Sequence, residues 1–234
     1  MPVLNKCEKT TENPPKALRT ALSQSIPDAS LIITPLPQCP ALSLWLLDAE
    51  YPQWKLDNDQ ASHIMANPPF WSFCWASGQV LARYLLDNPE LVRDKTLVDF
   101  GAGSGIVGIA AKLAGAASVI ACDSDPIARL ACEANAKLNN VSLKFSDSLD
   151  ATTAADIITV ADVFYDRSNL PLLDAMLEKF CTLWVADSRL KPEELKQSPL
   201  AGFSRIDRFQ SFTVPDLAES SEFNSVSLYT NRLP

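Results

Sequence analysis

The sequence predicts a doubly wound α/β domain on a seven-stranded, mostly parallel sheet with an antiparallel edge strand. Three observations carry that expectation. From Thr96 onward, short apolar runs alternate with stretches of helical periodicity. A glycine-rich turn, Gly101-Ala102-Gly103-Ser104-Gly105, follows the first of those runs. The last two runs, Phe203 to Phe209 and Ser225 to Thr230, have only a loop between them, so they pair antiparallel.

Each element has its own reason. Ala41 to Leu47 alternates weakly and reads as a strand, after a short apolar stretch at Leu31-Ile32-Ile33. Gln79 to Leu86 reads as a helix. Thr96 to Phe100 is a short buried strand. Ile106, Ile109, Ala110 and Leu113 recur at helical spacing, and Gly115 stops that helix. Ser118 to Cys122 is the next strand. Asp125-Pro126 then opens a helix with a capping carboxylate and a proline in the first turn. Its apolar face is Ile127, Leu130, Ala131, Ala134 and Leu138, and Asn139-Asn140 end it. Val141 to Phe145, Asp156 to Val160 and Leu183 to Ala186 are further strands, with a helix from about Leu170 to Phe180. Three segments result: a loose, dispensable lead-in over residues 1–30, a substrate-flanking segment over 31–90 bearing Trp45, Tyr51 and Trp54, and a cofactor-binding domain over 91–234.

Composition narrows the function classes. Hydrophobic residues make up 47% of the chain, enough for a real core. No apolar run is long enough to span a bilayer, and Met1 to Ser25 lacks the apolar region of a secretory signal. Six cysteines without a C-x-x-C pair argue for reduced thiols and a cytoplasmic location. A net charge of −8 without a basic run disfavours nucleic acid and membrane surfaces and favours a cationic protein or a small molecule. No metal is expected: His63 is the single histidine and lies in a polar segment.

The glycine turn admits two ligands. Gly103-Ser104-Gly105-Ile106-Val107-Gly108 is formally a dinucleotide fingerprint, and Asp123 stands about 20 residues on, where either fold holds a ribose. Asp99 separates the two. A carboxylate one step inside the strand end repels a pyrophosphate but tolerates the ammonium and sulfonium of S-adenosylmethionine. Asp147, just past the third strand, is either an acceptor for the adenine amino group or a solvated loop acid.

The pattern Val98-Asp99-Phe100-Gly101-Ala102-Gly103-Ser104-Gly105 resembles motif I of class I methyltransferases, whose fold is Rossmann-like. Pro69 to Gly78, Ile120 to Ala128 and Ala161-Asp162-Val163-Phe164-Tyr165-Asp166 together are similar to the seven-strand protein-lysine methyltransferases. Within these, the resemblance is to the family acting on the electron transfer flavoprotein β-subunit. It covers most of residues 31–170. It implies protein-lysine N-methylation with S-adenosylmethionine. Cofactor contacts are then expected at Trp75, Asp99, Gly101, Ala102, Gly103, Gly105, Asp123, Asp147, Ser148 and Ala161. It also implies that Asp162 and Tyr165 face the target amine. Trp71, Phe73 and Phe164 are candidates for a channel wall, with core the preferred reading for Phe73 and Phe164. Asn67-Pro68-Pro69-Phe70 matches a loop of adenine and glutamine methyltransferases but lies before the first strand, so it reads as a rigid extended lead-in. The alternatives are N-methylation of a small molecule or of another side chain, a cofactor-binding module without activity, and a nicotinamide oxidoreductase.

Overall fold

Strands buried on both faces read as near-continuous apolar runs, and between Thr96 and Thr230 such runs form the centre of a single sheet whose two edge strands are largely exposed. The computed structural model describes residues 13–52, 56–152, 155–190, 202–217 and 220–233. The sheet strands are β3 (Thr96–Phe100), β4 (Ser118–Cys122), β5 (Lys144–Ser146), β6 (Ile157–Ala161), β7 (Thr182–Asp187), β8 (Ser204–Gln210) and β9 (Ser225–Thr230). Their spatial order is β5-β4-β3-β6-β7-β9-β8, and only β9 runs against its neighbours. Chain order reverses between β3 and β6, so a crevice opens beyond the carboxyl ends of these strands.

Alternation along each strand feeds two cores. Leu97, Ile157 and Trp184 join the layer containing α3 (Ala76–Asp87) and α4 (Ile106–Leu113). Val98, Ile158 and Val185 join the layer containing α6 (Leu172–Lys179). The helix α3, assigned by sequence to the substrate-flanking segment, thus packs into the core of the sheet itself.

A third core lies outside the sheet. A hairpin of β1 (Leu31–Pro35) and β2 (Ser43–Leu47) packs with α1 (Lys16–Ser25) against α5 (Pro126–Leu138). The free edge of β2 is covered by side chains rather than by another strand. Asn135 accepts from the Trp45 N–H at 2.7 Å, and its amide donates to the Ser104 carbonyl at 2.8 Å. One helical turn on, Asn139 accepts from the Ser43 N–H and donates back to the Ser43 carbonyl. Two asparagines spaced i, i+4 share a helix face and so meet alternate residues of one strand.

Several sequence expectations need correction. The lead-in is not loose over its whole length: residues 16–25 are helical, because Leu18 and Leu22 recur one turn apart and are both buried beside α5. Residues 1–12 and Trp54 lie outside the described residues. The third sheet strand begins at Lys144 rather than Val141, since the chain after α5 must first climb from the Asn140 turn, at φ 57°, to the edge of β4. Leu130 is 39% exposed, whereas Ala131 and Ala134 of the expected face are buried, with Ala128 beside them and Ile127 and Leu138 packed against the same core. The polar stretch before His63 contains a further helix, α2 (Asn58–Ala66), with Asp57 accepting from the Gln60 N–H and Gln60 from the Asp57 N–H.

The docking of α1 predicts that Leu22→Ala lowers unfolding stability by about 2–4 kcal/mol, the usual cost of emptying a packed leucine site. Deletion of residues 1–30 should be at least as damaging. Urea denaturation checks both, and a wild-type midpoint for the deletion would show that α1 contributes nothing.

Candidate active site

Glycine's freedom at positive φ is what lets the chain leave β3 and turn into α4. Gly101, Gly103 and Gly105 lie at φ 69°, 53° and 83°. A Cβ on Gly101 would come within 2.5 Å of the Val163 side chain, so the turn and the loop after β6 require its absence. The Gly103 N–H donates to one oxygen of Asp123 at 2.9 Å, and the Asp125 N–H donates to the other at 3.0 Å. Asp123, at the end of β4, is therefore fixed beside the turn.

A cavity of about 740 Å³ opens over these strand ends, within the range of roughly 300–1,000 Å³ common for ligand sites. Gly101, Gly103, Asp123, Asp147, Ser148, Ala161, Asp162, Tyr165 and Trp75 all line it. Ten of the twelve expected site residues were Trp75, Asp99, Gly101, Ala102, Gly103, Gly105, Asp123, Asp147, Ser148 and Ala161, and three of these do not reach the wall. Ala102 is turned into the α3–α4 core. Gly105 closes the turn above Cys132, which a Cβ would meet at 3.1 Å.

Asp99 is the third, and the correction is instructive. It is 2% exposed and lies beneath the turn. One oxygen accepts from the Gly108 N–H at 2.9 Å and the other from the Thr159 hydroxyl at 3.1 Å. Burial pushes its carboxyl up to about 7; those two bonds oppose the rise and Asp123 adds to it. Asp99 braces the site from below and does not line the cavity.

Asp162 stands at the end of β6 in the left-handed region, at φ 50°, a conformation aspartate tolerates better than most residues. The Ser77 hydroxyl donates to one of its oxygens at 2.6 Å and the Ser77 N–H to the other at 3.1 Å. Burial raises its carboxyl to about 7, helped by Asp187 and opposed by Ser77 and Arg189. Beside it the wall is aromatic. The Trp75 indole N–H is satisfied by the Phe70 carbonyl at 3.1 Å, leaving the ring as the exposed feature. Phe70 packs edge-on to Trp75, with centroids 5.7 Å apart, and lies 6.3 Å from Tyr165. Trp71 also lines the cavity, whereas Phe73 and Phe164 are in the core.

Phe70 and Arg189 are among the cavity residues that sequence reasoning passed over. Phe70 sits in the Asn67–Phe70 motif, but the extended lead-in expected there ends in a single 3-10 turn, Phe70–Ser72, that swings the ring over the crevice. Arg189 follows β7 without any local signal, and its guanidinium lies 5.5 Å from the Tyr165 ring and 4.4 Å from Phe223. Trp45 and Tyr51, expected to flank the crevice, belong to the outer core instead.

Known proteins are similar to this chain in sequence and fold. A family profile described as ribosomal protein L11 methyltransferase (PrmA) matches residues 80–167. The crystal structure of ribosomal protein L11 methylase from Lactobacillus delbrueckii subsp. bulgaricus superposes with a TM-score of 0.52 at 22% identity, over 68% of this chain and 79% of that one. The electron transfer flavoprotein beta subunit lysine methyltransferase of Danio rerio is 42% identical over 104 residues, 43% of this chain and 40% of the fish protein. Its namesake from Rattus norvegicus is 32% identical over 184 residues, covering 76% of this chain and 70% of the rat protein. The chain belongs to the electron transfer flavoprotein beta subunit lysine methyltransferase family. It is an S-adenosylmethionine-dependent methyltransferase.

The residues of this methyltransferase fit that cofactor. The cavity carries the carboxylates of Asp123, Asp125, Asp147, Asp150 and Asp162, against the single cation Arg189 among its described lining residues. Such a wall favours a ligand bearing ammonium and sulfonium charges and repels a pyrophosphate. Bound there, S-adenosylmethionine supplies a methyl group activated by its positive sulfur.

The raised carboxyls also set a pH dependence. Asp99 and Asp162 titrate at about 7 in the fold, against an ordinary 3.8. Between those values the folded chain holds more protons than the unfolded one, so stability falls as pH rises through this window. The ligand-free chain should unfold at a higher urea concentration at pH 5 than at pH 8, and Asp99→Asn should flatten the difference. A midpoint that climbs steadily from pH 5 to pH 8 contradicts this assignment.

Proposed function

We propose that this enzyme methylates the ε-amine of a lysine in a partner protein, and that the electron transfer flavoprotein β-subunit is that protein. The observation that carries the reading is a carboxylate, Asp162, at the foot of an aromatic mouth made by Phe70, Trp75 and Tyr165. The names of the relatives supply the partner. The profile match to the ribosomal protein methyltransferases begins at residue 80 and so leaves out the Phe70–Trp75 wall.

In this reading Trp75, Gly101, Gly103, Asp147, Ser148 and Ala161 surround the cofactor, and Asp123 takes its ribose hydroxyls. Asp162 and Tyr165 receive the substrate. A free lysine has a pKa of about 10.4, so most of it arrives as ammonium. The aromatic walls disfavour that charged form, and the methylene stem of the side chain lies well against them. Asp162 draws the cation in, accepts an N–H bond from the neutral amine and aims the lone pair. Methyl transfer is an in-line displacement, so alignment of this kind supplies much of the rate. The enzyme works in the cytoplasm on this reading, in keeping with the free thiols of Cys39, Cys74, Cys122, Cys132 and Cys181.

Calorimetry should show binding of S-adenosylhomocysteine and none of NAD, and Asp123→Ala should weaken that binding by about 1.5–3 kcal/mol, the worth of hydrogen bonds to a charged group. An unchanged affinity removes Asp123 from the ribose site. Asp162→Asn should leave cofactor affinity nearly intact while turnover on the β-subunit drops about 10²-fold or more. Tyr165→Phe should do less if the ring alone forms the wall, and as much if its hydroxyl holds the amine. Wild-type turnover in Asp162→Asn takes that residue out of the reaction.

A further inference from the structure

The helix α3 begins at the cavity wall, yet its own N-cap residue, Trp75, provides no side-chain bond to the first turn. The bond comes from across the fold. Ser77, wholly buried in that first turn, gives its N–H to one Asp162 oxygen and its hydroxyl to the other. The two residues are 85 positions apart in sequence. Asp162 therefore caps α3 from the end of β6, and α3 in turn holds the carboxylate in one orientation.

We propose that Ser77 is a positioning residue for methyl transfer: its paired bonds hold the Asp162 carboxylate at the cavity wall beside the aromatic mouth. This rests on the reading of Asp162 as the group that meets the amine. Three features give it physical content. A carboxylate in the left-handed region has little backbone slack of its own, so its side-chain direction depends on its partners. Two bonds, one from the backbone N–H and one from the hydroxyl of a single residue, fix the plane of the carboxylate as well as its position. Ser77 also brings the N-terminal end of α3, whose aligned backbone N–H groups favour negative charge.

Burial is the main reason that Asp162 holds its proton, and the same contact works against it. Around it stand Asp187 at the end of β7, Arg189 just after, Tyr165 in its own loop and Cys74 ahead of α3. Asp187 disfavours a second negative charge, whereas Arg189 and Ser77 favour it. Without the Ser77 hydroxyl, one of the few groups stabilising the ionised form is gone, and the carboxyl must titrate higher.

Carbon NMR of the full chain, labelled at the aspartate carboxyl carbons and free of ligand, reads this directly. The Asp162 resonance is the one missing from Asp162→Asn. Ser77→Ala should raise its midpoint by about one pH unit, and the other aspartates serve as the control for folding. Ser77→Thr, which keeps the hydroxyl, should stay near wild type. An unmoved midpoint in Ser77→Ala overturns the proposal. Turnover on the β-subunit gives the second reading. The ratio of Ser77→Ala to wild type should rise roughly fivefold from pH 7 to pH 9, as the carboxyl ionises again, and a constant deficit from the lost orientation should remain at pH 9. A ratio depressed equally at every pH marks a merely structural role and also overturns it. Wild-type turnover in Asp162→Asn instead overturns the reading of Asp162, leaving the effect of Ser77 on the titration as a separate result.

Discussion

A carboxylate set behind the cavity wall holds the crevice together. Asp99 lies under the glycine turn and reaches α4 through Gly108 and β6 through Thr159. It thereby ties three elements whose ends form the site: the turn after β3, the first turn of α4 and the strand that ends in Asp162. Both of its oxygens are bonded, as burial of a charge-bearing group demands, and the group answers the remaining cost by titrating near neutrality. Every cavity residue on these strands inherits its place from that junction.

Beyond the sheet, the structure depends on polar side chains used as if they were backbone. Asn135 and Asn139 supply the bonds that a neighbouring strand would give β2, and Asn135 also reaches the glycine turn through Ser104. The outer layer of α1, the hairpin and α5 is consequently coupled to the cofactor end of the sheet. Trp71 and Phe73 pack into that same layer, so it fixes the segment that carries Phe70 and Trp75.

The electrostatic character of the cavity follows from where the strands end. Asp123, Asp147 and Asp162 follow β4, β5 and β6, so the topology that creates the crevice also gathers the acids. Like charges gathered in a sheltered site attract a cation, and a positively charged cofactor meets that need. The aromatic side of the cavity comes from outside the sheet, through Phe70, Trp71 and Trp75.

The sequence by itself determined the alternating elements, the strand-end acids and the glycine turn, because these depend on local periodicity and on φ angles only glycine adopts readily. Thr96–Phe100, Ser118–Cys122 and Ser225–Thr230 read correctly to the residue for that reason. It also pointed to Asp123 and Asp162, since the end of a parallel strand is a position that hydrophobic patterning marks. It misplaced Asp99, whose pattern matches a ligand contact while its side chain points under the turn. It missed Arg189 and passed over Phe70, and it read residues 16–25 as loose. Only the tertiary structure decided these, for a common reason: each depends on a partner far away in sequence. The burial of Leu18 and Leu22 needs α5, the position of Phe70 needs Trp75 and Tyr165, and the grip on Asp162 needs Ser77. Local pattern records which face a residue presents, but a contact requires two segments to be brought together, and that is the work of the fold.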